Sequence, residues 1–172
     1  MKLRMFYKYR GLLTGLLGAL LLCLPAAVTG FVVIAVAGAF FAAAFFLRVW
    51  ARMHIGDHSR GKELFCPALV QSGPYKYVKH PLYLSNFMAG VAFAFFHAGF
   101  SFRALLFCAV YGCFLGYLAH KENVFLADAH NCGEQTRMVA KATAGGALWA
   151  DRYTWLWQSM MLALIFLRKN VC

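Results

Sequence analysis

The sequence is poor in charged residues, above all in acidic ones. Only 13% of its 172 residues are charged and six are acidic, whereas 62% are hydrophobic. Soluble domains carry about 25% charged residues, so this composition excludes an ordinary water-soluble domain. The mean hydropathy of +0.62 agrees, and we expect an integral membrane protein.

The chain also lacks a contiguous basic stripe and a cysteine framework. Its net charge of +11 comes from Lys and Arg residues scattered between apolar runs, which argues against a nucleic-acid partner. Cys23, Cys108 and Cys113 lie inside apolar runs, unlike the cysteines of secreted disulfide-rich domains. We therefore interpret all six cysteines as packing residues.

Five apolar runs predict an all-α fold, a polytopic membrane helix bundle of about five transmembrane helices. They cover residues 11–29, 30–50, 81–98, 102–119 and 153–167. The first run would be about 28 Å long as a helix, enough to cross the hydrocarbon, and Pro25 should kink or end it. A signal peptide is the alternative for this run, but the apolar pattern resumes at once, which favours a retained span.

The charge distribution predicts the orientation of the bundle. Five spans place the amino terminus and the two polar segments, 48–80 and 120–152, on one face. That face holds 14 of the 17 Lys and Arg residues, which makes it cytoplasmic and puts the carboxyl terminus on the opposite side. All six acidic residues fall there too. The spans carry almost no ionisable groups, which disfavours a channel or transporter.

Residues 73–86 hold turn, basic, aromatic and imidazole residues between two apolar blocks. Pro81 is well placed as the first residue of a helix. His80 and Tyr83 are then three apart on one helix face, which Asn86 continues. The row is either a ligand-binding surface or an interfacial anchor for the helix end.

This stretch resembles the signature of the isoprenylcysteine carboxyl methyltransferase family, which related phospholipid N-methyltransferases share in similar form. The matching residues are Gly73-Pro74-Tyr75-Lys76-Tyr77-Val78-Lys79-His80-Pro81-Leu82-Tyr83. The resemblance implies an integral-membrane enzyme that uses S-adenosyl-L-methionine and releases S-adenosylhomocysteine. It implies catalytic roles for Glu122 and His80, and cofactor-binding roles for Tyr75, Tyr77, Val78, His80, Pro81, Leu82, Tyr83, Asn86 and Glu122.

A second block, residues 120–126, resembles the family's downstream pair of glutamates. Glu122 occupies the first acidic position, but Asn123 stands at the second. The turn Cys132-Gly133-Glu134 loosely echoes a family turn that follows. By this resemblance Glu122 accepts a hydrogen bond from a ribose hydroxyl or the cofactor ammonium. The alternative is a solvated charge at a helix end.

The other polar residues of the first segment carry weaker signals. His54 and His58 lack a third ligand at fixed spacing, so we expect no metal. The neighbouring basic residues are either lipid-headgroup contacts or ordinary positive-inside charge: Arg52, Arg60 and Lys62.

The resulting hypothesis is a single integral membrane domain, residues 1–172. Residues 1–50 form an amino-terminal helical hairpin, and residues 51–172 form a catalytic part whose site comes from the motif loop 73–86 and the segment 120–152. The expected activity is methyl transfer to a lipid-like or membrane-embedded small acceptor at the cytoplasmic interface. The partners are the lipid bilayer and this lipophilic acceptor. A non-enzymatic scaffold or lipid-binding subunit with a degenerate cofactor site is the alternative.

Overall fold

The described part of the chain is helical throughout. The computed structural model describes residues 13–55, 70, 72–131 and 142–171, with side chains described through 124 in the fourth helix and through 169 in the last. Within these ranges there is no strand, which confirms the predicted all-α class. The helices are α1 (Leu13–Leu22), α2 (Phe31–Ile55), α3 (Pro81–Ala98), α4 (Phe102–Asn131), α5 (Ala144–Ala150) and α6 (Arg152–Val171).

Some predictions fall on residues outside the described ranges. They concern the amino-terminal basic cluster, the second histidine of the His54–His58 pair, the basic residues Arg60 and Lys62, and the turn 132–134. Of the described helices, α2 and α4 are long and apolar enough to cross a membrane.

The helix of the first apolar run ends before Pro25, in line with the prediction that this proline kinks or ends it. Helix α1 ends at Leu22, and residues 25–30 are neither helix nor turn. Pro25 explains the end, because proline has no amide hydrogen for an i→i−4 bond. A further reason is that the Ala27 amide donates to the His97 carbonyl at 2.9 Å.

Helix α3 follows the sequence prediction, whereas α2 and α4 are longer than predicted. Pro81 is the first residue of α3, which ends at Ala98. Helix α2 continues five residues past Trp50, and α4 continues twelve residues past Ala119. The start of the predicted polar segment 120–152 is therefore helical. The same segment contains the short α5, which was not predicted.

The core lies between α2, α3 and α4, with α1 and α6 packed against it. Small residues dominate the buried cluster, which lets the helix axes approach closely. Its members are Leu21, Ala44, Ala89, Phe93, Ala94, Ala98, Ala104, Met161 and Ile165. At Gly90 the backbone of α3 lies directly against the Tyr111 ring of α4. The two helices that carry the predicted site residues are thus in close contact.

Polar contacts at the carboxyl end of α3 join it to the linker between α1 and α2. His97 is fully buried, and its Nε2 donates to the Leu24 carbonyl at 2.9 Å. The Lys169 ammonium of α6 donates to the Thr29 hydroxyl at 2.8 Å. These contacts hold the linker against the end of the bundle that lies away from His80.

Candidate functional site

The motif loop contacts α2 at a glycine. Gly73 has φ +61°, a left-handed conformation that favours glycine, and a Cβ there would lie 2.6 Å from the His54 ring. His54 is itself fixed, because its Nδ1 donates to the Trp50 carbonyl at 2.9 Å. The 3-10 turn Gly73–Lys76 is closed by the Val78 amide, which donates to the Pro74 carbonyl at 2.9 Å. The loop is thus held against α2 at its first residue.

The loop ends where His80 caps α3. His80 precedes Pro81, and its carbonyl accepts the Leu84 amide at 3.1 Å. The His80 and Tyr83 rings lie 5.6 Å apart, so the structure places both on one face as the spacing predicts. The imidazole thereby lies at the amino-terminal end of the helix.

His80 meets two side chains of α4. Its Nδ1 is 3.7 Å from Glu122 Oε2, and its Nε2 donates to Asn123 Oδ1 at 2.9 Å. The side chains of His80 and Glu122 remain 15% and 25% exposed. Because α4 continues past Ala119, a rigid helix positions Glu122 and Asn123 opposite the loop.

Tyr75 of the motif loop adds a buried hydroxyl within electrostatic range of Glu122. No hydrogen-bond partner contacts that hydroxyl within the described part of the chain. Burial raises the pKa of Tyr75, and Arg52 and Glu122 also act on it electrostatically. Buried polar atoms nearly always have a partner, so this hydroxyl is a position where a ligand atom would be stabilised. We call Tyr75, His80, Glu122 and Asn123 the loop–α4 cluster.

The structure does not bring every predicted residue into that cluster. Tyr77 is 76% exposed and lines no enclosed surface. Pro81 is buried as the first residue of α3, and Val78 and Leu82 are half-buried. Asn86 contacts α2 instead, because its Oδ1 accepts from Arg48 Nη1 at 2.5 Å.

Asn86 belongs to a buried network that the sequence analysis did not predict. Arg48 Nε donates to Asp151 Oδ2 at 2.7 Å, and Arg48 Nη2 donates to the Thr154 hydroxyl at 3.1 Å. Arg52 donates to Asp151 Oδ1 from Nε at 2.8 Å and from Nη2 at 2.7 Å. We call Arg48, Arg52, Asn86, Asp151 and Thr154 the buried network.

The buried network is almost inaccessible to water. Arg48, Arg52 and Asp151 are 8%, 5% and 4% exposed. Burial alone would raise the pKa of Asp151, but the hydrogen bonds from Arg52 and the charge of Arg48 outweigh it and hold that pKa below its usual value. Arg52 is thus held in an internal ion pair, which leaves it little exposed for the predicted lipid-headgroup contact. The available signal was two arginines four residues apart in an apolar helix.

The comparison with protein families decides the class of protein. The sequence model of the isoprenylcysteine carboxyl methyltransferase (ICMT) family matches residues 39–128, slightly more than half of the chain. The chain belongs to the ICMT family. No curated protein and no solved structure matches it.

ICMT-family proteins are integral-membrane methyltransferases that use S-adenosylmethionine, so the family and the apolar helices together indicate a membrane protein. The matched range includes the motif loop, Arg48, Arg52 and Glu122, and it ends before Asp151.

The loop–α4 cluster fits the polar groups of that cofactor. S-adenosylmethionine carries an ammonium, a carboxylate, a sulfonium and ribose hydroxyls. Glu122 supplies an acceptor for cationic or hydroxyl groups, His80 supplies ring nitrogens, and the unpartnered Tyr75 hydroxyl supplies a donor. Over the described residues, no three His, Cys, Asp or Glu side chains are grouped to hold a metal ion.

Proposed function

We propose that this chain transfers a methyl group from S-adenosylmethionine to a lipid-like or membrane-embedded small acceptor at the cytoplasmic interface. In this proposal five helices cross the membrane, with the amino terminus and site on the cytoplasmic face and the carboxyl terminus opposite. The excess of Lys and Arg residues on the predicted cytoplasmic face supports that orientation.

One observation carries the proposal: the motif loop and α4 meet at His80. The chain separates His80 from Glu122 by α3, a turn and most of α4, yet the imidazole and the carboxylate are 3.7 Å apart. Both are partly exposed, so their remaining bonding capacity is open to a ligand. A helix anchor alone would require neither the carboxylate nor the unpartnered Tyr75 hydroxyl of the same loop.

The proposed roles follow from the chemistry of each side chain. The bound cofactor supplies an activated methyl group, so the protein mainly positions two reactants and excludes water. Glu122 and His80 would hold the polar end of the cofactor, and Tyr75 would donate a hydrogen bond to it. The close contact of Gly73 with the His54 ring holds the loop against α2. The buried network holds α2 against α3 and the start of α6. An apolar acceptor would arrive from the bilayer.

Asn123 supports the alternative of a non-enzymatic scaffold. An amide stands where the family resemblance leads us to expect a second carboxylate, and it bonds to His80 rather than remaining open. A scaffold could keep this arrangement after losing methyl transfer. Experiment must also identify the acceptor group, which is a carboxylate, amine, thiol or hydroxyl.

Cofactor binding tests the proposal directly. We expect isothermal titration of detergent-solubilised protein with S-adenosylhomocysteine to show saturable binding. Glu122→Gln should weaken it about tenfold or more, the effect of losing a charged hydrogen bond worth about 2 kcal/mol. His80→Ala should also weaken it, whereas Arg103→Gln, on the predicted opposite face, should not. Absence of wild-type binding at millimolar ligand would refute the proposal.

Methyl transfer itself separates the enzyme from the scaffold. Membranes that contain the protein would be incubated with methyl-labelled cofactor and then fractionated into lipid and protein. We expect label in a lipid or small lipophilic fraction that disappears with Glu122→Gln. Binding without any label transfer would favour the scaffold.

A further inference from the structure

An arginine between two exposed aromatic rings lies at the corner that joins α5 to α6. The guanidinium of Arg152 is 5.0 Å from the centroid of the Trp149 ring and 4.6 Å from that of Tyr153. Trp149 is 71% exposed and Tyr153 is 68% exposed. We call these three residues the corner cluster. Contact with two rings restricts the guanidinium, which lowers the entropy that it loses when it binds a ligand.

The hydrogen-bonding capacity of Arg152 is largely unused. Its bonds to the Trp149 carbonyl and the Tyr153 hydroxyl are both 3.4 Å long, at the weak limit for such contacts. The two carboxylates whose side chains the structure describes are engaged elsewhere, Asp151 with two buried arginines and Glu122 beside His80. Among those described side chains Arg152 therefore has no acidic partner, and its charge is available to an external anion.

The position of the cluster indicates which anion this is. Arg152 directly follows Asp151, so it lies beside the buried network at the first turn of the apolar helix α6. Exposed Trp and Tyr side chains at a helix end are typical of the headgroup level of a bilayer. A guanidinium matches the oxygens of a phosphate with two parallel hydrogen bonds.

We propose that the corner cluster binds the phosphate of an anionic phospholipid headgroup. The anionic surface of a bilayer complements a chain of net charge +11, and one arginine at that surface adds measurably to lipid binding. This site is separate from the loop–α4 cluster and does not depend on methyl transfer.

Native mass spectrometry of the full chain in detergent tests the proposal without cofactor. The protein would be titrated with phosphatidylglycerol and, in parallel, with phosphatidylcholine of the same acyl chains. We expect the wild type to bind phosphatidylglycerol more tightly. Arg152→Gln should weaken that binding about fivefold and weaken phosphatidylcholine binding less, because the choline cation already offsets the charge of that lipid's phosphate. Arg103→Gln, the matched control, should keep the wild-type preference.

Two further variants separate a built site from general surface charge. Arg152→Lys keeps the charge but loses the planar pair of donors, and Trp149→Leu removes one of the two rings. Both should weaken phosphatidylglycerol binding, with unchanged thermal midpoints in detergent alone showing that they fold. Equal losses in Arg152→Gln and Arg103→Gln, full binding by Arg152→Lys, or no wild-type preference between the two lipids would each overturn the proposal.

Discussion

The buried network and the loop–α4 cluster both include a residue at the start of α3, Asn86 and His80 respectively, but they differ in how much of their bonding capacity is used. Arg48 donates to three side chains, and Asp151 accepts through both oxygens, all with little access to water. In the loop–α4 cluster the closest approach of Glu122 to His80 is 3.7 Å, and the Tyr75 hydroxyl is unpartnered.

The difference separates a structural role from a binding role. Closely packed, water-excluded ion pairs leave nothing for a ligand to contact, and removing one partner is costly. Partly exposed and incompletely bonded groups cost less to rearrange and can exchange water for a ligand. We therefore expect substitutions in the two groups to affect different measurements.

The largest effect should come from Asp151→Asn. It removes the carboxylate that both buried guanidinium groups contact, which should cost about 3–5 kcal/mol of unfolding free energy and lower the thermal midpoint by about 10 °C. Glu122→Gln, the matched loss of a carboxylate in the loop–α4 cluster, should leave the midpoint nearly unchanged. Differential scanning fluorimetry in detergent measures both. Equal shifts in the two variants would remove the distinction between the groups.

Acid should destabilise the wild type partly through Asp151. Its pKa in the folded protein is below the ordinary value, so its contribution to stability is complete above that value and is lost as pH falls through the lowered one. The wild type should therefore begin to lose its advantage over Asp151→Asn below about pH 4, and the difference should shrink further as pH falls. Thermal midpoints of both proteins from pH 7 to 3 provide the measurement. A constant difference across that range would contradict the assignment.

The sequence predicted those parts of the molecule that local signals determine. Proline has a specific preference for the first helical position, so the start of α3 and the shared face of His80 and Tyr83 could be predicted. The end of α4 could not, because hydropathy marks where apolar character stops, whereas a helix continues as long as its backbone bonds form. Glu122 and Asn123 therefore lie on a helix that the composition did not indicate.

The buried network could not be predicted from the sequence, for another reason. Asp151 is 103 residues from Arg48, and nothing local distinguishes its carboxylate from the other five. Spacing predicted Asn86 on the ligand face, but its side chain accepts from Arg48 of α2, a contact that only tertiary packing shows. Periodicity predicts which residues share a face, and it does not predict what that face contacts.

A smaller effect should follow from Gly73→Ala, which perturbs the contact between α2 and the loop. The positive φ and the approach of the new Cβ to His54 should together cost about 2 kcal/mol. Because the loop carries Tyr75 and His80, binding of S-adenosylhomocysteine should weaken as well. The double variant with His54→Ala removes the collision and should recover part of both losses. An unchanged midpoint and affinity in Gly73→Ala would show that this contact does not position the loop.

The smallest change, Tyr75→Phe, gives the sharpest contrast because its two effects should have opposite signs. The hydroxyl is buried without a partner, so its removal should leave the free protein as stable as the wild type or raise its thermal midpoint slightly. If the hydroxyl donates to the ligand, affinity for S-adenosylhomocysteine should fall about fivefold, the value of one neutral hydrogen bond. Scanning fluorimetry of the free protein and titration with the ligand measure the two effects. A loss of stability without a loss of affinity would instead show that the Tyr75 hydroxyl supports the fold and does not bind the ligand.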